Sequence, residues 1–452
     1  MKRRSATLAA TRGSVLIIVL WICLGLVALT LYFANSMSSE LRAADNRAVE
    51  VAARQAVAGG ERYAAYILTN FAANGVVPDP TINSYQTENL PVGDASFWFI
   101  GRDPNATATA EPVFGLVDEA SKINLNTANL AMLENLPNMT PDLAAAIIAW
   151  RTPTAQSGSS NDASNTYAAL TPPRLNKGAR FETVDELRLV YGATLDLLLG
   201  EDTNRNGALD TNEDDSDQSP PHDNQDGQLQ PGFFEYVTVY SAQPNTRATG
   251  GRRIDISTPQ SRTQNLEPYL RRQLNAARAT DIIRRLGNNN LRSVAEFYAL
   301  SGLSADEFAP MHTNLTVTQG AATNGLINVN TACATVLACI PGIGAANATQ
   351  IVAYRVANPT LLTSFAWLLP IIGRAAFMQA GPYITDQSYQ FSVDVAAVGK
   401  NGRGYCREKV VFDLSKGTPR MIYRQDLSAY GWALGATARQ TLKAAQNQNS
   451  SS

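Results

Sequence analysis

The chain has 452 residues, of which 45% are hydrophobic, and a formal net charge of −2. This length is enough for two or three domains with their own cores, and the charge gives no sign of a nucleic-acid or anionic-membrane partner. Four cysteines without a CxxC pair are too few for a disulfide framework, and two histidines, His222 and His312, argue against a Cys/His metal cluster or Ser-His-Asp chemistry. With no nucleophile–base set in view, the sequence predicts that the protein is not an enzyme and has no catalytic residue.

An uncharged segment from Ser14 to Ala34 follows a short basic leader. As a helix it spans about 30 Å, which is enough to cross a bilayer. It is too long for the core of an ordinary signal peptide, and no A-x-A site follows it. Because apolar residues continue to recur at three- and four-residue steps beyond Ser38, we predict one helix over residues 14–71.

A basic leader that ends in Gly13, followed by Ser14 and a long half-hydrophobic helix, resembles the type IV pilin and pseudopilin family. The resemblance implies cleavage between Gly13 and Ser14 by a prepilin peptidase, and N-methylation of Ser14. Most members carry glutamate at the fifth mature position, which here is Ile18. The K-type minor pseudopilins of type II secretion characteristically lack it, and a tip subunit has no neighbour above it to pair with a carboxylate in lipid. An ordinary single-pass anchor is the alternative for this segment.

Residues 121–151 and 325–355 align without a gap. Each copy contains Ile-Asn-x-Asn-Thr-Ala, then Pro137 or Pro341, and ends at an arginine. The pattern predicts a short extended segment, a capped helix, a tight turn and a second helix, which together form a helix-hairpin-helix unit. A related pattern recurs at residues 290–302, so a domain made of duplicated helical bundles is expected.

The second copy also resembles the competence DNA-receptor family, through the turn formed by Gly342 and Gly344. Such a turn lets backbone N–H groups approach a phosphate. The first copy has Asn138 and Thr140 at these positions, and the second helix of the later copy lacks the lysine that would strengthen DNA binding. We therefore predict packing modules, as the K-type pseudopilins also carry, and keep a membrane-anchored DNA receptor for uptake as the alternative function.

Residues 201–232, between the two copies, form an acidic segment with the spacing of an EF-hand-type calcium loop. Gly207 occupies position 6, where such a loop turns sharply. The predicted calcium ligands are Asp202, Asn204, Asn206, the Ala208 carbonyl, Asp210 and Glu213. The exit side will not form a helix, so the predicted role of the ion is structural. A solvated acidic linker is the alternative, although without a cation the carboxylates would repel one another.

A degenerate copy of the same loop follows, with Gly227 at position 6. Its predicted ligands are Asp223, Asn224, Asp226, the Gln228 carbonyl and Gln230. Position 12 is Phe233, so the bidentate acid is missing, and the candidates to replace it are Asp214, Asp215, Asp217 and Asp223. The sequence therefore predicts one calcium ion and leaves a second open.

Aromatic and β-branched residues predict strands at 94–101 and 112–125, and alternating patterns predict an antiparallel meander near the C-terminus. The predicted fold is α+β, a pseudopilin fold with a large inserted α-helical domain that contains duplicated helix-hairpin-helix (SAM-like) units. The predicted segments are a leader at 1–13, the long helix at 14–71, the first strands of the head at 72–120, the inserted domain at 121–380, the meander at 381–435 and a polar tail at 436–452. The end of the tail is expected to be disordered.

The resemblance covers nearly the whole chain and implies a minor pseudopilin at the tip of the type II secretion pseudopilus. The implied partners are the I- and J-type minor pseudopilins, the major pseudopilin, the inner-membrane assembly platform and the prepilin peptidase. The implied location is the inner membrane, crossed once, with the C-terminal bulk in the periplasm, because positive charge stays on the cytoplasmic side. The role implied is support of the export of folded proteins across the outer membrane.

Overall fold

The computed structural model describes residues 12–74, 85–105, 110–153, 166–216, 218–248 and 250–450. Most of the predicted leader, and Asp217, lie outside the described residues.

The first described element is helix α1, Arg12–Asn74. Every side chain from Val15 to Ala48 is exposed, and the described residues contain one helix long and apolar enough to cross a membrane, near the N-terminus. From Val49 onward one face of the same helix is buried. The helix therefore has an unpacked apolar half and a half that belongs to the folded head.

The buried half of α1 packs on an antiparallel sheet with the strand order β1-β2-β12-β13-β14. These strands are β1 (Leu90–Val92), β2 (Ala95–Ile100), β12 (Gln390–Val398), β13 (Cys406–Asp413) and β14 (Arg420–Asp426). A short strand, β3 (Val117–Asp118), lies beyond β2 along the same edge of β12. The predicted strand at 94–101 and the predicted meander are thus observed, and the α+β class is confirmed.

Small residues allow the close packing of α1 on the sheet. Ala53, Ala56 and Ala64 lie in one core cluster with Phe97 and Val395. A Cβ atom on Gly60 would lie 2.7 Å from Cγ1 of Val395, so only glycine permits this approach. Burial of this apolar face holds the helix to the head.

The opposite face of the sheet is covered by the C-terminal helix α14, Gly435–Ser450. Leu442 and Ala438 pack against a cluster that includes Trp98, Val398 and Leu434. The polar tail is therefore helical up to Ser450, and its last two residues lie outside the described part of the chain. Apolar side chains spaced four apart give the helix a face to bury, and this outweighs its polar composition.

The inserted domain consists of short helices and two-residue strands between β3 and β12. Its strands are β4 (Ile123–Asn124), β5 (Val237–Thr238), β6 (Ala242–Pro244), β7 (Ile254–Asp255), β8 (Leu315–Thr316), β9 (Ala322–Asn324), β10 (Ile327–Asn328) and β11 (Ile384–Thr385). Its helices are α2 (Leu130–Glu134), α3 (Pro141–Arg151), α4 (Leu195–Leu199), α5 (Phe233–Tyr236), α6 (Pro259–Ser261), α7 (Glu267–Gln273), α8 (Ala276–Leu286), α9 (Val294–Ser301), α10 (Ala305–Phe308), α11 (Ala334–Ala338), α12 (Gly344–Ala357) and α13 (Leu368–Ala380). One continuous hydrophobic cluster forms its core.

Three parallel strand pairs divide this domain into three units, which span residues 123–238, 254–316 and 327–385. The pairs are β4 with β5, β7 with β8, and β10 with β11. Each unit therefore begins and ends at the same short ladder, with its helices between. The two predicted copies, residues 121–151 and 325–355, lie at the start of the first and third units, whereas only residues 290–302 of the second unit were predicted.

The same hydrogen bonds recur at the start and the end of every unit. The first ladder strand ends in Asn124, Asp255 or Asn328, whose side chain accepts a hydrogen bond from the backbone N–H two residues later, at 2.8–2.9 Å. The closing ladder strand ends in a threonine whose hydroxyl does the same at 3.1 Å. The middle unit has Asp255 in place of asparagine. The aspartate keeps the acceptor oxygen, but the residue no longer matches the asparagine of the other two units in a sequence comparison.

Candidate metal centre

The acidic segment lies inside the first unit, between α4 and α5. The first loop, residues 202–213, turns on two residues in the left-handed region, Arg205 at φ 59° and Gly207 at φ 75°. A Cβ atom on Gly207 would lie 2.7 Å from Nε of Arg102. Glycine at position 6 is therefore required by the backbone conformation and by the packing around it.

The side-chain oxygens of the first loop point inward and hold its backbone. Asp202 accepts from the N–H groups of Asn206 and Gly207 at 2.9 and 3.0 Å. Glu213 accepts from Thr203 and Asp210 at 3.1 Å each, which closes the loop from position 12. All six predicted ligands thus belong to one compact turn.

Burial of this loop is deep. Glu213 is 1% exposed, Asn206 is fully buried and Asp202 is 3% exposed. Burial, followed by repulsion from Asp202, raises the pKa of Glu213 from 4.5 to about 8. Two buried carboxylates that repel each other in this way require a cation or a proton.

The donor chemistry of the first loop fits calcium. Among the described residues no three Asp, Glu, His or Cys side chains form a metal cluster by themselves. The predicted set instead mixes carboxylates with amide and backbone carbonyl oxygens, which are the hard ligands that Ca²⁺ takes in loops of this spacing.

Two arginines from the head hold the outside of the first loop. Arg407 on β13 is fully buried, pairs with Asp394 at 2.6 Å, and donates to the carbonyls of Asn204 and Arg205. Arg102 after β2 donates to the carbonyls of Arg205 and Asn206 at 3.0 and 3.1 Å. The loop is therefore attached to the pilin-like sheet as well as to the inserted domain.

The second loop, residues 222–233, repeats the hydrogen bonds of the first loop twenty positions later. The N–H of Asp226 donates to Oδ1 of Asn224 at 3.1 Å, as Asn206 donates to Asn204 at 2.9 Å. The N–H of Gln228 donates to Asp226 at 2.9 Å, as Ala208 donates to Asn206 at 2.7 Å. Gln225 and Gly227 adopt φ 51° and 72°. The two loops share one backbone conformation.

Two acids from outside the second loop take the places of its missing end residues. Gly227 N–H donates to Asp214 at 3.0 Å, which is the bond that Gly207 makes to Asp202 at position 1. Gln230 N–H donates to Glu201 at 2.8 Å, which is the bond that Asp210 makes to Glu213 at position 12. The sequence pattern named Asp214 as a candidate and missed Glu201.

A backbone bridge explains why Glu201 reaches the second loop. Gly200 pairs with Pro231, and the N–H of Glu201 donates to the carbonyl of Gln230 at 3.0 Å. The start of the first loop and the end of the second are therefore adjacent. A Cβ atom on Gly200 would lie 2.3 Å from the Gln230 carbonyl oxygen, so glycine is needed for this pairing.

The other candidate acids hold the connection between the loops. Asp215 accepts from Ser219, and the carboxylate of Asp223 accepts from the N–H groups of Asp215, Ser216 and Gln225. The structure therefore uses Asp223 to fix a turn, and the candidate Asp217 lies outside the described residues.

The predicted hairpin turns differ in how they pack. Gly342 and Gly344 adopt φ 89° and 68°, and Asn138 keeps the left-handed conformation in the first copy at φ 57°. A Cβ atom on Gly342 would lie 2.7 Å from the Ala376 carbonyl oxygen of α13. Gly342 therefore serves the contact between two helices of its own unit. Thr140, in the place of Gly344, caps α3 by accepting from Leu143 N–H.

The ends of both copies are fixed by an arginine that points back to the start of its unit. Arg355 donates to the carbonyls of Val329 and Ala332 at 2.9 and 2.7 Å, and Arg151 donates to those of Leu125 and Ala128. In the second unit Arg262 donates to the Ile256 carbonyl. In all three units an arginine side chain thus donates to backbone carbonyls of its own unit.

The fold and the loops together define a class: a pilin-like α+β head on a single N-terminal helix of membrane-spanning length, with a large inserted domain. Residues 118–199 match the family model described as type II secretion system (T2SS), protein K. This match confirms the resemblance to the type II secretion minor pseudopilin K family that the sequence predicts. The family is a structural component of secretion and not a known enzyme family.

Similarity to other known proteins is more distant. One chain of the crystal structure of the GspK–GspI–GspJ complex from the enterotoxigenic Escherichia coli type 2 secretion system is 9% identical, with a TM-score of 0.39. That match covers 82% of this chain and 96% of the other. No curated protein sequence matches significantly.

Proposed function

We propose that this protein is a minor pseudopilin, that it stands at the tip of the type II secretion pseudopilus and that it supports the export of folded proteins across the outer membrane. The observation that carries the proposal is the continuous helix Arg12–Asn74, apolar and unpacked in its first half and fixed to the head in its second. Such a helix partitions into lipid before assembly and packs against neighbouring helices afterwards.

Two features of the molecule support the position at the tip: the uncharged residue Ile18 in the N-terminal helix and the large inserted domain. Ile18 is exposed and carries no charge to pair with a subunit above. The inserted domain, residues 121–380 in the sequence prediction, adds three helical units to the head. A head of this width leaves little room for a further subunit above it.

The proposed partners follow from the family. The I- and J-type minor pseudopilins and the major pseudopilin would contact the helix and head, and the assembly platform and the prepilin peptidase would act at the inner membrane. Periplasmic placement of the head and N-methylation of Ser14 belong to the same proposal. The protein has no proposed catalytic role.

N-terminal sequencing of the purified mature chain tests the processing step. We expect the first residue to be N-methylated Ser14. Gly13→Leu should leave the leader attached and block secretion, whereas the matched control Gly25→Leu, at a position open on all sides, should be processed normally. A mature chain that begins at Met1 would contradict the proposal.

We further propose that calcium binds the first loop through its six predicted ligands. A second ion would bind the second loop through Asn224, Asp226, the Gln228 carbonyl and Gln230, with Asp214 and Glu201 as the acids. Calcium has a structural role here, because it neutralises carboxylates on a loop that joins the sheet to the insert. A chelator should lower the melting temperature of the mature chain in detergent by several degrees, and an unchanged melting curve would remove the metal from the proposal.

The repeated units are proposed to be helix-hairpin-helix packing modules. Gly342 faces α13 of its own unit, which supports packing in preference to phosphate binding. The alternative function, a membrane-anchored DNA receptor, is tested by a gel shift of the purified chain with duplex DNA at low salt. Tight binding that weakens steeply with salt would favour the receptor.

A further inference from the structure

A small charged cavity lies where the sheet, the start of the inserted domain and the first loop meet. Its volume is about 30 Å³. The charged residues in its wall are Arg102, Lys122, Arg205, Glu235, Asp394 and Lys409. Four of these are cations and two are acids, so the wall carries an excess of positive charge.

The acids at the cavity are already paired with other cations. Glu235 accepts from Arg102 at 2.9 Å, and Asp394 pairs with Arg407 at 2.6 Å. The neighbouring Glu119 lies 3.5 Å from Nζ of Lys409. No acid in the described wall is left to neutralise a further cation.

Two cationic side chains have no such partner. Lys122 is only 8% exposed, and within the described parts of the chain its ammonium has no ion pair within 4 Å and no hydrogen bond, although the charges of Glu119 and Glu235 act on it from farther away. Nη1 of Arg205 is buried without a hydrogen-bond acceptor, while its guanidinium carbon lies 4.8 Å from the Phe234 ring centroid. Burial of a charge without a counter-charge in direct contact is costly, so this arrangement favours an anion in the cavity.

The lowered pKa of Lys409 also indicates a positive potential in the cavity. Burial, together with repulsion from Lys122 and Arg205, lowers its pKa to about 8 even though Glu119 is adjacent. The local potential is therefore positive although three ion pairs surround the cavity.

We propose that this cavity binds a chloride ion. A space of this volume accepts a monatomic anion or a pair of water molecules, and only the anion would balance the excess of cations over acids in the wall. The ion would connect Lys122 at the start of the insert, Arg205 of the first loop and Lys409 of the sheet. It would therefore strengthen the same junction as the two arginine contacts to the first loop.

The test compares two salts at equal ionic strength on the full mature chain in an uncharged detergent, with calcium saturating. The melting temperature should be a few degrees higher in sodium chloride than in sodium gluconate, because an ion that binds only the folded state stabilises it. In Lys122→Met this difference should disappear, and the variant should melt above the wild type in gluconate because the unpaired charge is gone. Lys416→Met, at an exposed position, should keep the chloride dependence.

A second measurement does not depend on a variant. Crystals of the wild-type chain soaked in bromide should show an anomalous peak within hydrogen-bonding distance of Nζ of Lys122. Equal melting temperatures in the two salts, an unchanged chloride response in Lys122→Met, or a cavity that holds only water in the bromide-soaked crystal would each overturn the proposal.

Discussion

The two acidic loops have the same hydrogen-bond pattern and opposite environments. In the first loop the oxygens are buried and the backbone is held from outside by Arg102 and Arg407. In the second loop Asn224 and Asp226 are exposed, and both end residues are borrowed from elsewhere in the segment. Local sequence is thus enough to determine the conformation of the loop. Tertiary contacts determine how much the loop contributes to the stability of the head.

The largest effect is expected from removal of the contact between the head and the first loop. Arg407→Met leaves Asp394 buried without its ion pair and removes one donor each from the carbonyls of Asn204 and Arg205, although Arg102 still donates to the Arg205 carbonyl. Loss of one partner of a buried pair costs about 3–5 kcal/mol. Urea unfolding of the mature chain in detergent measures this cost, and calcium affinity should fall in the same variant because the loop is less ordered.

A neighbouring arginine provides the control. Arg403 pairs with Asp45 at 2.7 Å, but both side chains are exposed. Arg403→Met should therefore cost about 0–1 kcal/mol and leave calcium binding unchanged. Equal costs for the two variants would show that the contact to the first loop is no stronger than a surface ion pair.

The next effect concerns the acid at position 12 of the first loop. Glu213→Gln removes a bidentate ligand and should abolish the stabilisation by calcium, which is about 2.7 kcal/mol when calcium is at 100 times its Kd. In chelator the order should reverse, with Glu213→Gln melting above the wild type, because folding of the wild type must either protonate Glu213 or bury its charge beside Asp202, whereas the amide is neutral at every pH. Calorimetric scans of both proteins in calcium and in chelator measure the reversal. A variant that melts below the wild type in both conditions would show a packing role for Glu213 and no role in metal binding.

The sequence predicts local features well and long-range contacts poorly. The N-terminal helix, the meander and the first loop are each encoded by a continuous pattern, so they can be predicted from adjacent residues. The second unit was missed because Asp255 replaces asparagine and Arg262 takes the place of an arginine at the end of a helix. Both differences preserve the hydrogen bonds, but they reduce the sequence similarity by which the repeat was recognised.

Glu201 is a residue of the candidate metal centre that the sequence could not predict. It lies one residue before the first loop, and no spacing rule assigns it to a second loop that starts some twenty residues later. Only the bridge between Gly200 and Pro231 brings it to Gln230. Arg102, just after β2, and the buried Arg407 on β13 likewise lie more than 100 residues along the chain from the carbonyls to which they donate.

A smaller effect is expected from pH in the absence of calcium. Glu213 has a folded-state pKa of about 8 against an ordinary value of 4.5, so the folded chain binds a proton in this interval that the unfolded chain does not. Its contribution is fully present below the unfolded pKa and is lost as pH rises towards 8. Asp118, with a pKa of about 6, acts in the same direction at lower pH. The part due to Glu213 is therefore the difference in unfolding free energy between the wild type and Glu213→Gln from pH 6 to pH 8 in chelator. If that difference does not change with pH, or persists unchanged in saturating calcium, the coupling to the metal is wrong.

The smallest effect should come from the acid borrowed by the second loop. Glu201→Gln keeps the hydrogen bond from Gln230 N–H but removes the negative charge, so the second loop should lose its ion while the first keeps its own. Calcium titration should show two bound ions in the wild type and one in the variant, with the tighter affinity unchanged and the melting temperature shifted less than in Glu213→Gln. Glu182→Gln, which is exposed and outside both loops, should leave two ions. Loss of the tighter ion in Glu201→Gln would mean that the two loops form one coupled site, and retention of both ions would show that Glu201 is not a ligand.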